Sequence, residues 1–124
     1  MKVQGADFVL YYVSDLQRSI QFYCDFLGLP MEFYKEEWKW AELGAGNVTL
    51  TLCGEGKRAE ESSGGILALA VEDLPAAAEE VKAKGITVNR ELHELSTCWH
   101  LEILDPDGYT IILHQRKDGT FGQD

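Results

Sequence analysis

An internal repeat constrains the fold of this chain more than any other feature of its sequence. Val13-Ser14-Asp15-Leu16 returns 58 positions later as Val71-Glu72-Asp73-Leu74, and Leu27-Gly28-Leu29 returns 57 positions later as Lys84-Gly85-Ile86. Apolar alternation around each copy predicts one strand, one helix and three further strands. Two such β-α-β-β-β modules are each too small to bury a sheet face alone. The repeat therefore predicts an α+β fold, in which paired modules form a curved mixed sheet around a cleft, with the helices outside.

The predicted elements fill the 124 residues as a single domain. Module 1 covers about 5–53, with strands at 8–13, 31–35, 38–43 and 48–52 and a helix at 16–27. The polar, glycine-containing stretch that begins at Cys53 predicts an exposed linker at about 54–65. Module 2 covers about 66–116, with strands at 66–71, 86–91, 99–104 and 109–114 and a helix from an Asp73 cap to Lys84.

The sequence DPDG at 105–108 predicts a tight turn between the last two strands, with positive φ available to Asp107-Gly108. Side chains two residues apart share a strand face. His100 and Glu102 should therefore face the same way as Ile112 and His114. A face that mixes titratable and apolar groups is typical of a pocket wall.

Two interpretations of His100 and Glu102 remain open. The carboxylate could hold the imidazole as a general base, or take a cationic ligand. Alternatively, the pair lines a wet cavity or forms hydrogen bonds across strands. His114 is expected near an exposed strand end, and His93 in an exposed loop.

Aromatic residues give a second signal for a binding site. Phe8 and Tyr12 should share one strand face, with Leu10 between them, and Trp38 and Trp40 should share a face with Glu42, beside Thr49 and Thr51. Such a wall suits a flat organic ligand, although the rings could instead form core or a dimer interface. An acidic edge from Glu42 or Glu102 would favour a cationic or amine-bearing ligand. The candidate ligand-binding residues are Phe8, Leu10, Tyr12, Trp38, Trp40, Glu42, Thr49, Thr51, Ile66, Ala68, Ile112 and His114.

Composition excludes several classes of partner. Eleven basic against 21 acidic residues give a formal charge of −10, which disfavours binding to nucleic acid phosphates. The three cysteines are odd in number and lack Cys-x-x-Cys spacing, so we expect reduced thiols in a cytoplasmic protein. The sequence also shows neither a signal peptide nor a membrane-spanning apolar run, so no membrane partner is expected.

Three segments resemble the vicinal oxygen chelate superfamily, which includes glyoxalase I, extradiol dioxygenases, fosfomycin-resistance enzymes and bleomycin-resistance proteins. They are VSDLQRSIQFYCDFLGL from Val13, LALAVEDL from Leu67, and LDPDGYTIILHQ from Leu104. The resemblance covers nearly the whole chain. It implies the paired-module fold, a small-molecule ligand and a homodimer.

The resemblance also implies four positions at which the family's enzymes hold a divalent metal through His and Glu. These positions fall on Phe8, on Thr51 (or Leu50, if the register differs by one), on Ile66 and on Ile112. Phe and Ile offer no donor atom to a metal. We therefore predict no metal and no other cofactor at the family position.

Two functions follow as hypotheses. The first is a metal-free small-molecule binding protein, similar to the bleomycin-resistance branch, that sequesters an aromatic or cationic compound. The second is a lyase, isomerase or dioxygenase-type enzyme with a non-standard site, in which His100 and Glu102 act as acid and base.

Overall fold

The computed structural model describes residue 2, residues 8–54 and residues 66–121. The chain divides into two compact units, Met1–Glu60 and Glu61–Asp124. The predicted linker lies outside the described residues from position 55 onward. Its first residue in the sequence interpretation, Cys53, instead ends a strand and is buried.

The described residues of unit 1 form a four-stranded mixed sheet and one α-helix. The sheet order is β1-β4-β3-β2, where β1 runs parallel to β4 and the other neighbours are antiparallel. Leucines on β3 and β4 are fully buried and form the centre of the core. The elements are β1 Phe8–Tyr12, α1 Leu16–Ile20, β2 Met31–Lys35, β3 Trp40–Gly44 and β4 Thr49–Cys53.

The helix after β1 begins as predicted, but its second half has a different geometry. Asp15 caps α1, because its Oδ1 accepts a hydrogen bond from the backbone N–H of Arg18 at 3.1 Å. Gln21–Phe26 then continues as a π-helix, closed by the bond from Leu27 N to Phe22 O. The wider turn buries the consecutive residues Phe22 and Tyr23, whose rings meet edge to face at 5.0 Å.

Unit 2 repeats this plan with the sheet order β5-β8-β7-β6, where only the β5–β8 pair is parallel. Asp73 caps α2 by accepting a hydrogen bond from Ala76 N, and Pro75 lies in the first turn. The helix packs against β6, β7 and β8 and buries Leu74 and Val81. The elements are β5 Leu67–Ala70, α2 Leu74–Ala83, β6 Val88–Glu94, β7 Cys98–Leu104 and β8 Thr110–Arg116.

The turn between β7 and β8 is organised by a buried carboxylate. Asp105 is 5% exposed, and its Oδ1 accepts hydrogen bonds from Asp107 N at 2.9 Å and Tyr109 N at 2.8 Å. Gly108 has φ of 88°, whereas Asp107 is not among the described residues with positive φ. Glycine alone therefore makes the left-handed step that was predicted for the Asp107-Gly108 pair.

The α+β class and the repeated β-α-β-β-β order are confirmed. The largest boundary errors are in three strands: β3 begins at Trp40 rather than Trp38, β6 runs from Val88 to Glu94 rather than over 86–91, and β8 extends to Arg116. The cleft predicted between the modules stays a prediction. Within the described parts of the chain, no helix is long and apolar enough to cross a membrane.

Candidate functional site

Unit 1 presents one sheet face that carries most of the aromatic candidates. The register places Phe8 beside Thr49 and Leu10 beside Thr51, and it places Glu42 on the other side of Thr51. Paired residues on neighbouring strands share a face. Phe8, Leu10, Tyr12, Trp40, Glu42, Thr49 and Thr51 therefore lie on one face.

The rings at the two edges of this face are exposed. Phe8 is 55% and Tyr12 42% exposed on β1, and Phe33 is 41% exposed on β2, where it lies beside Glu42. Thr51, between these edges, is only 1% exposed. A ligand on this face would thus meet the aromatic edges before it met Thr51.

The prediction that Trp38 shares a strand with Trp40 and Glu42 was wrong. Trp38 ends a 3-10 helix, Glu36–Trp38, that separates β2 from β3, and the next residue, Lys39, turns the backbone with φ of 49°. Trp38 still reaches this side of the sheet, because its ring centroid lies 6.3 Å from that of Phe33. Its ring is 55% exposed, and Lys35 Nζ lies 4.3 Å from its centroid.

A hydrogen bond fixes the acidic group of the same face. Trp40 Nε1 donates to Glu42 Oε2 at 2.8 Å, and both side chains are half-buried. The shared face predicted for these two residues is therefore visible as a direct contact. The bond orients the Glu42 carboxylate along the sheet and occupies one of its oxygens.

Unit 2 places all three histidines of the chain in one row across three neighbouring strands. The register pairs His93 on β6 with His100 on β7, and His100 with His114 on β8. The rings of His93 and His100 stack with centroids 5.0 Å apart, and the His114 ring meets His100 edge-on at 6.1 Å. We call these three residues the histidine row.

One sequence prediction about the histidine row was wrong, and a second was wrong in part. His93 is not in an exposed loop, because β6 continues past it. His114 lies near the end of β8 as predicted, two residues before Arg116, but its side chain is half-buried rather than exposed. All three side chains are half-buried. The row forms because β6 carries a register shift between Arg90 and His93, which brings His93 rather than Leu92 opposite His100.

His100 and Glu102 lie together as predicted, but they are not hydrogen-bonded. His100 Nε2 is 3.9 Å from Glu102 Oε2, and the two side chains are 18% and 19% exposed. Asn89 Nδ2 donates to the other carboxylate oxygen, Oε1, at 3.1 Å. Burial, followed by the neighbouring His93, lowers the pKa of His100, which Glu102 raises only in part. The imidazole is therefore biased toward its neutral form.

The residues at the family's metal positions are divided between unit 1, which holds Phe8, and unit 2, which holds Ile66 and Ile112. Ile112 lies between Ala68 and Glu102 in the sheet register, whereas Ile66 precedes β5 and is 58% exposed. Phe8 lies at the edge of the unit 1 sheet. None of these three side chains has a donor atom, and no cluster of three His, Cys, Asp or Glu among the described residues has the arrangement of a metal site. The residues present do not fit the family's divalent metal.

Sequence reasoning missed Phe33, His93 and Asn89. Phe33 could have been assigned to the aromatic face by extending the Trp40–Glu42 alternation to the neighbouring strand. His93 and Asn89 had no such signal, because the shift in β6 breaks the period of two on which the prediction depended.

Comparisons with known proteins agree on the family. A sequence model described as the Glyoxalase/Bleomycin resistance protein/Dioxygenase superfamily matches residues 5–113. A lactoylglutathione lyase of Haemophilus influenzae is 36% identical, covering 89% of this chain and 91% of its own, and a probable lactoylglutathione lyase of Synechocystis is 32% identical, covering 83% and 88%. The crystal structure of TnmS3, an antibiotic binding protein from a Streptomyces species, superimposes with a TM-score of 0.80 at 20% identity, covering 94% of this chain and 99% of its own. The chain belongs to the Glyoxalase/Bleomycin resistance protein/Dioxygenase superfamily.

Proposed function

We propose that this protein binds a small, flat, aromatic organic molecule and does so without the divalent metal of its family's enzymes. The observation that carries the proposal is the aromatic face of unit 1, where Phe8, Tyr12, Phe33 and Trp38 are each at least 41% exposed. Exposed rings at the edges of one sheet face offer stacking surfaces to a planar guest. Glu42, held by Trp40, gives the same face a negative charge that favours a cationic guest.

The donor chemistry supports the metal-free part of the proposal. Phe8, Ile66 and Ile112 occupy three of the four positions that the family resemblance assigns to metal ligands, and the fourth falls on Thr51 or Leu50. A divalent ion loses hydration free energy on binding, and side chains without oxygen, nitrogen or sulfur donors cannot replace it. The likeness in fold to an antibiotic binding protein supports sequestration as the outcome of binding.

A second candidate function is acid–base catalysis by His100 and Glu102. The observation that favours it is the lowered pKa of His100, which keeps an accepting imidazole nitrogen beside a carboxylate near neutral pH. The curated relatives are named as lyases, which also supports an enzyme. This candidate predicts turnover with a pH profile that His100→Gln abolishes, whereas binding without chemistry predicts neither.

Fluorescence titration with 9-aminoacridine, a planar aromatic cation, tests the first proposal. Binding should quench tryptophan emission, and Trp38→Leu should weaken binding by about tenfold, the loss of one stacking contact of roughly 1–1.5 kcal/mol. The matched control is Trp99→Leu, which removes a tryptophan from unit 2 and should leave the affinity unchanged.

Two results would overturn the proposal. Equal affinity in the Trp38→Leu and Trp99→Leu variants would exclude the aromatic face of unit 1 as the binding surface. Stoichiometric nickel, zinc, manganese or iron that survives dialysis, measured by elemental analysis, would exclude a metal-free protein. A homodimer and a cytoplasmic location remain part of the proposal.

A further inference from the structure

We infer that His93, His100 and Glu102 form a binding site for a primary ammonium group carried by a small-molecule ligand. The inference rests on the proposed small-molecule binding and names a chemical group that the ligand must carry. The atoms that would accept its N–H bonds are Nε2 of His93, Nε2 of His100 in the tautomer with hydrogen on Nδ1, and Oε2 of Glu102. We call these residues the ammonium site.

The two imidazole nitrogens are buried and unused. Nε2 of His93 and Nε2 of His100 are inaccessible to solvent and have no hydrogen-bond partner among the described residues. Buried polar atoms without partners are rare in native proteins, and each calls for an explanation such as an ordered water, an ion or a bound group. Both belong to rings that stack with their centroids 5.0 Å apart.

The backbone determines which nitrogen of His93 carries the proton. His93 Nδ1 lies 2.9 Å from the carbonyl oxygen of Glu91, which can only accept a hydrogen bond. Nδ1 therefore carries the hydrogen when the ring is neutral. Nε2 is left with a lone pair, so the site needs a donor rather than an acceptor from its ligand.

The carboxylate of Glu102 supplies the third acceptor and the negative charge. Because Asn89 donates to Oε1, the carboxylate is oriented with Oε2 toward His100. The gap of 3.9 Å between Oε2 and His100 Nε2 is too long for a hydrogen bond. The nitrogen of a bound ammonium group would bridge this gap at about 2.9 Å from each atom, a normal N–H···O or N–H···N distance.

An ammonium group fits these acceptors better than a metal ion. Metal ligands must converge on one point at about 2.0–2.2 Å, with the lone pair in the plane of each ring aimed at the ion. No group of three His, Cys, Asp or Glu side chains among the described residues, the ammonium site included, meets this requirement. Hydrogen bonds are longer and tolerate wider angles, which suits an N–H donor.

Surrounding charges keep the ammonium site ready for a cation near neutral pH. Protonated His100 would pair with Glu102 and occupy the place of the ligand. Burial, His93, His114 on β8 and Arg90 on β6 all lower the pKa of His100 and oppose that protonation, against the opposite effect of Glu102. The neighbouring positions on β5 are Ala68 and Ala70, which do not titrate.

Space for the rest of the ligand lies beside His114. A cavity of about 440 Å³ there is lined by Ala70, Arg116, Thr120 and Phe121 in addition to His114. Its volume falls within the usual range for small-molecule sites. His114 is the residue that this cavity shares with the histidine row, and its ring centroid lies 6.1 Å from that of His100.

The test uses three probes with one shape and different head groups. 2-Naphthylmethylamine carries a primary ammonium, its trimethylammonium twin carries the same charge without N–H donors, and 2-naphthalenemethanol carries a hydroxyl group without charge. Dissociation constants come from NMR titrations that follow the histidine ring nitrogens. We expect the primary amine to bind at least tenfold more tightly than the trimethylammonium compound and the alcohol. It should also shift the Nε2 resonances of His93 and His100.

Two matched variants locate the site. Glu102→Gln should weaken binding of the amine at least tenfold, whereas Glu80→Gln, which removes the same charge from an exposed position on α2, should change it less than twofold. His93→Gln, which keeps a polar side chain, should reduce the preference for the amine over its trimethylammonium twin. Circular dichroism establishes that each variant is folded before it is titrated.

The outcomes separate this inference from the proposed function. Equal binding of the amine and its trimethylammonium twin, or an unchanged affinity in Glu102→Gln, would overturn the ammonium site while the aromatic face of unit 1 remained a binding surface. Stoichiometric binding of zinc that displaces the amine would also overturn the inference, because the three residues would then form a metal site. Failure of all three probes and of 9-aminoacridine would overturn both proposals.

Discussion

Asp105 provides a sharp test of whether the acidic turn between β7 and β8 is structural or part of a binding site. Its side chain is 5% exposed, and Oδ1 accepts two backbone hydrogen bonds that fix the turn between β7 and β8. Replacing it with alanine leaves the N–H groups of Asp107 and Tyr109 without that acceptor. Asp107 is itself buried, so water cannot easily replace the lost oxygen.

The expected loss follows from these two bonds. A hydrogen bond to a charged group contributes about 1.5–3 kcal/mol, and an unpaired buried donor costs about 1–3 kcal/mol. Since Tyr109 is only half-buried, its N–H will recover part of its bond from water. We therefore expect Asp105→Ala to lower the free energy of unfolding by about 2–5 kcal/mol, a large fraction of the 5–15 kcal/mol typical of a domain.

Urea denaturation followed by circular dichroism measures this loss, and Asp118→Ala supplies the matched control. Asp118 Oδ1 also accepts from a backbone N–H two residues ahead, Thr120 N at 3.0 Å, but this turn is exposed. Its removal should lower the free energy of unfolding much less than Asp105→Ala does, because water can replace the lost acceptor at an exposed turn. The contrast isolates burial as the cause.

Equal losses in the two variants would refute the argument, because burial would then have no effect on the value of the hydrogen bonds. A second outcome would refute the assignment of Asp105 to structure. If Asp105→Ala kept its stability but lost ligand binding, Asp105 would belong to a site.

Three further predictions test the helices, the histidine row and the assembly. Asp15→Ala and Asp73→Ala each remove an N-cap bond of 3.1 Å and should each cost about 1 kcal/mol in urea denaturation; no change would mean that the helices do not depend on these caps. Because the pKa of His100 is lowered on folding, the unfolded chain takes up its proton first, so stability should fall as pH decreases below about 6.5, the unfolded value, and through the folded value. His100→Gln should reduce this acid sensitivity, measured as the free energy of unfolding against pH, and an identical pH profile would contradict the assignment. Sedimentation equilibrium should give twice the chain mass of 13.9 kDa, whereas a monomer would exclude the homodimer.

The sequence predicted those parts of the fold that depend on short-range signals. Asp73 marks the start of α2 as predicted, and of the two cap candidates that the sequence offers for α1, Ser14 and Asp15, Asp15 accepts the backbone N–H. Gly28 and Gly85 end the helical segments with φ of 80° and 67°, which only glycine adopts without strain. Gly108 determines the last hairpin in the same way.

Two local irregularities of the candidate site, the position of His93 and that of Trp38, could not be predicted from the sequence. The position of His93 follows from a register shift in β6 that no residue of β6 announces, since the pairing with β7 stabilises it. Trp38 left its predicted strand because Lys39 adopts a left-handed conformation that favours glycine or asparagine. Both errors moved a side chain of the candidate site and left the fold unchanged.

The alternation of side chains between the two faces of each strand explains why family membership is easier to establish than activity. On β8 the buried residues Ile111 and Leu113 alternate with Ile112 and His114, and on β4 the buried Leu50 faces away from Thr49. Of the positions that the family resemblance assigns to metal ligands, Phe8 and Ile112 lie on the opposite faces and are not buried, whereas Thr51 is 1% exposed. Exchanging a metal ligand for an apolar side chain at position 8 or 112 therefore removes no buried contact. Selection can change the donor chemistry of this fold at little cost in stability, so the activity must be inferred from the residues on those opposite faces.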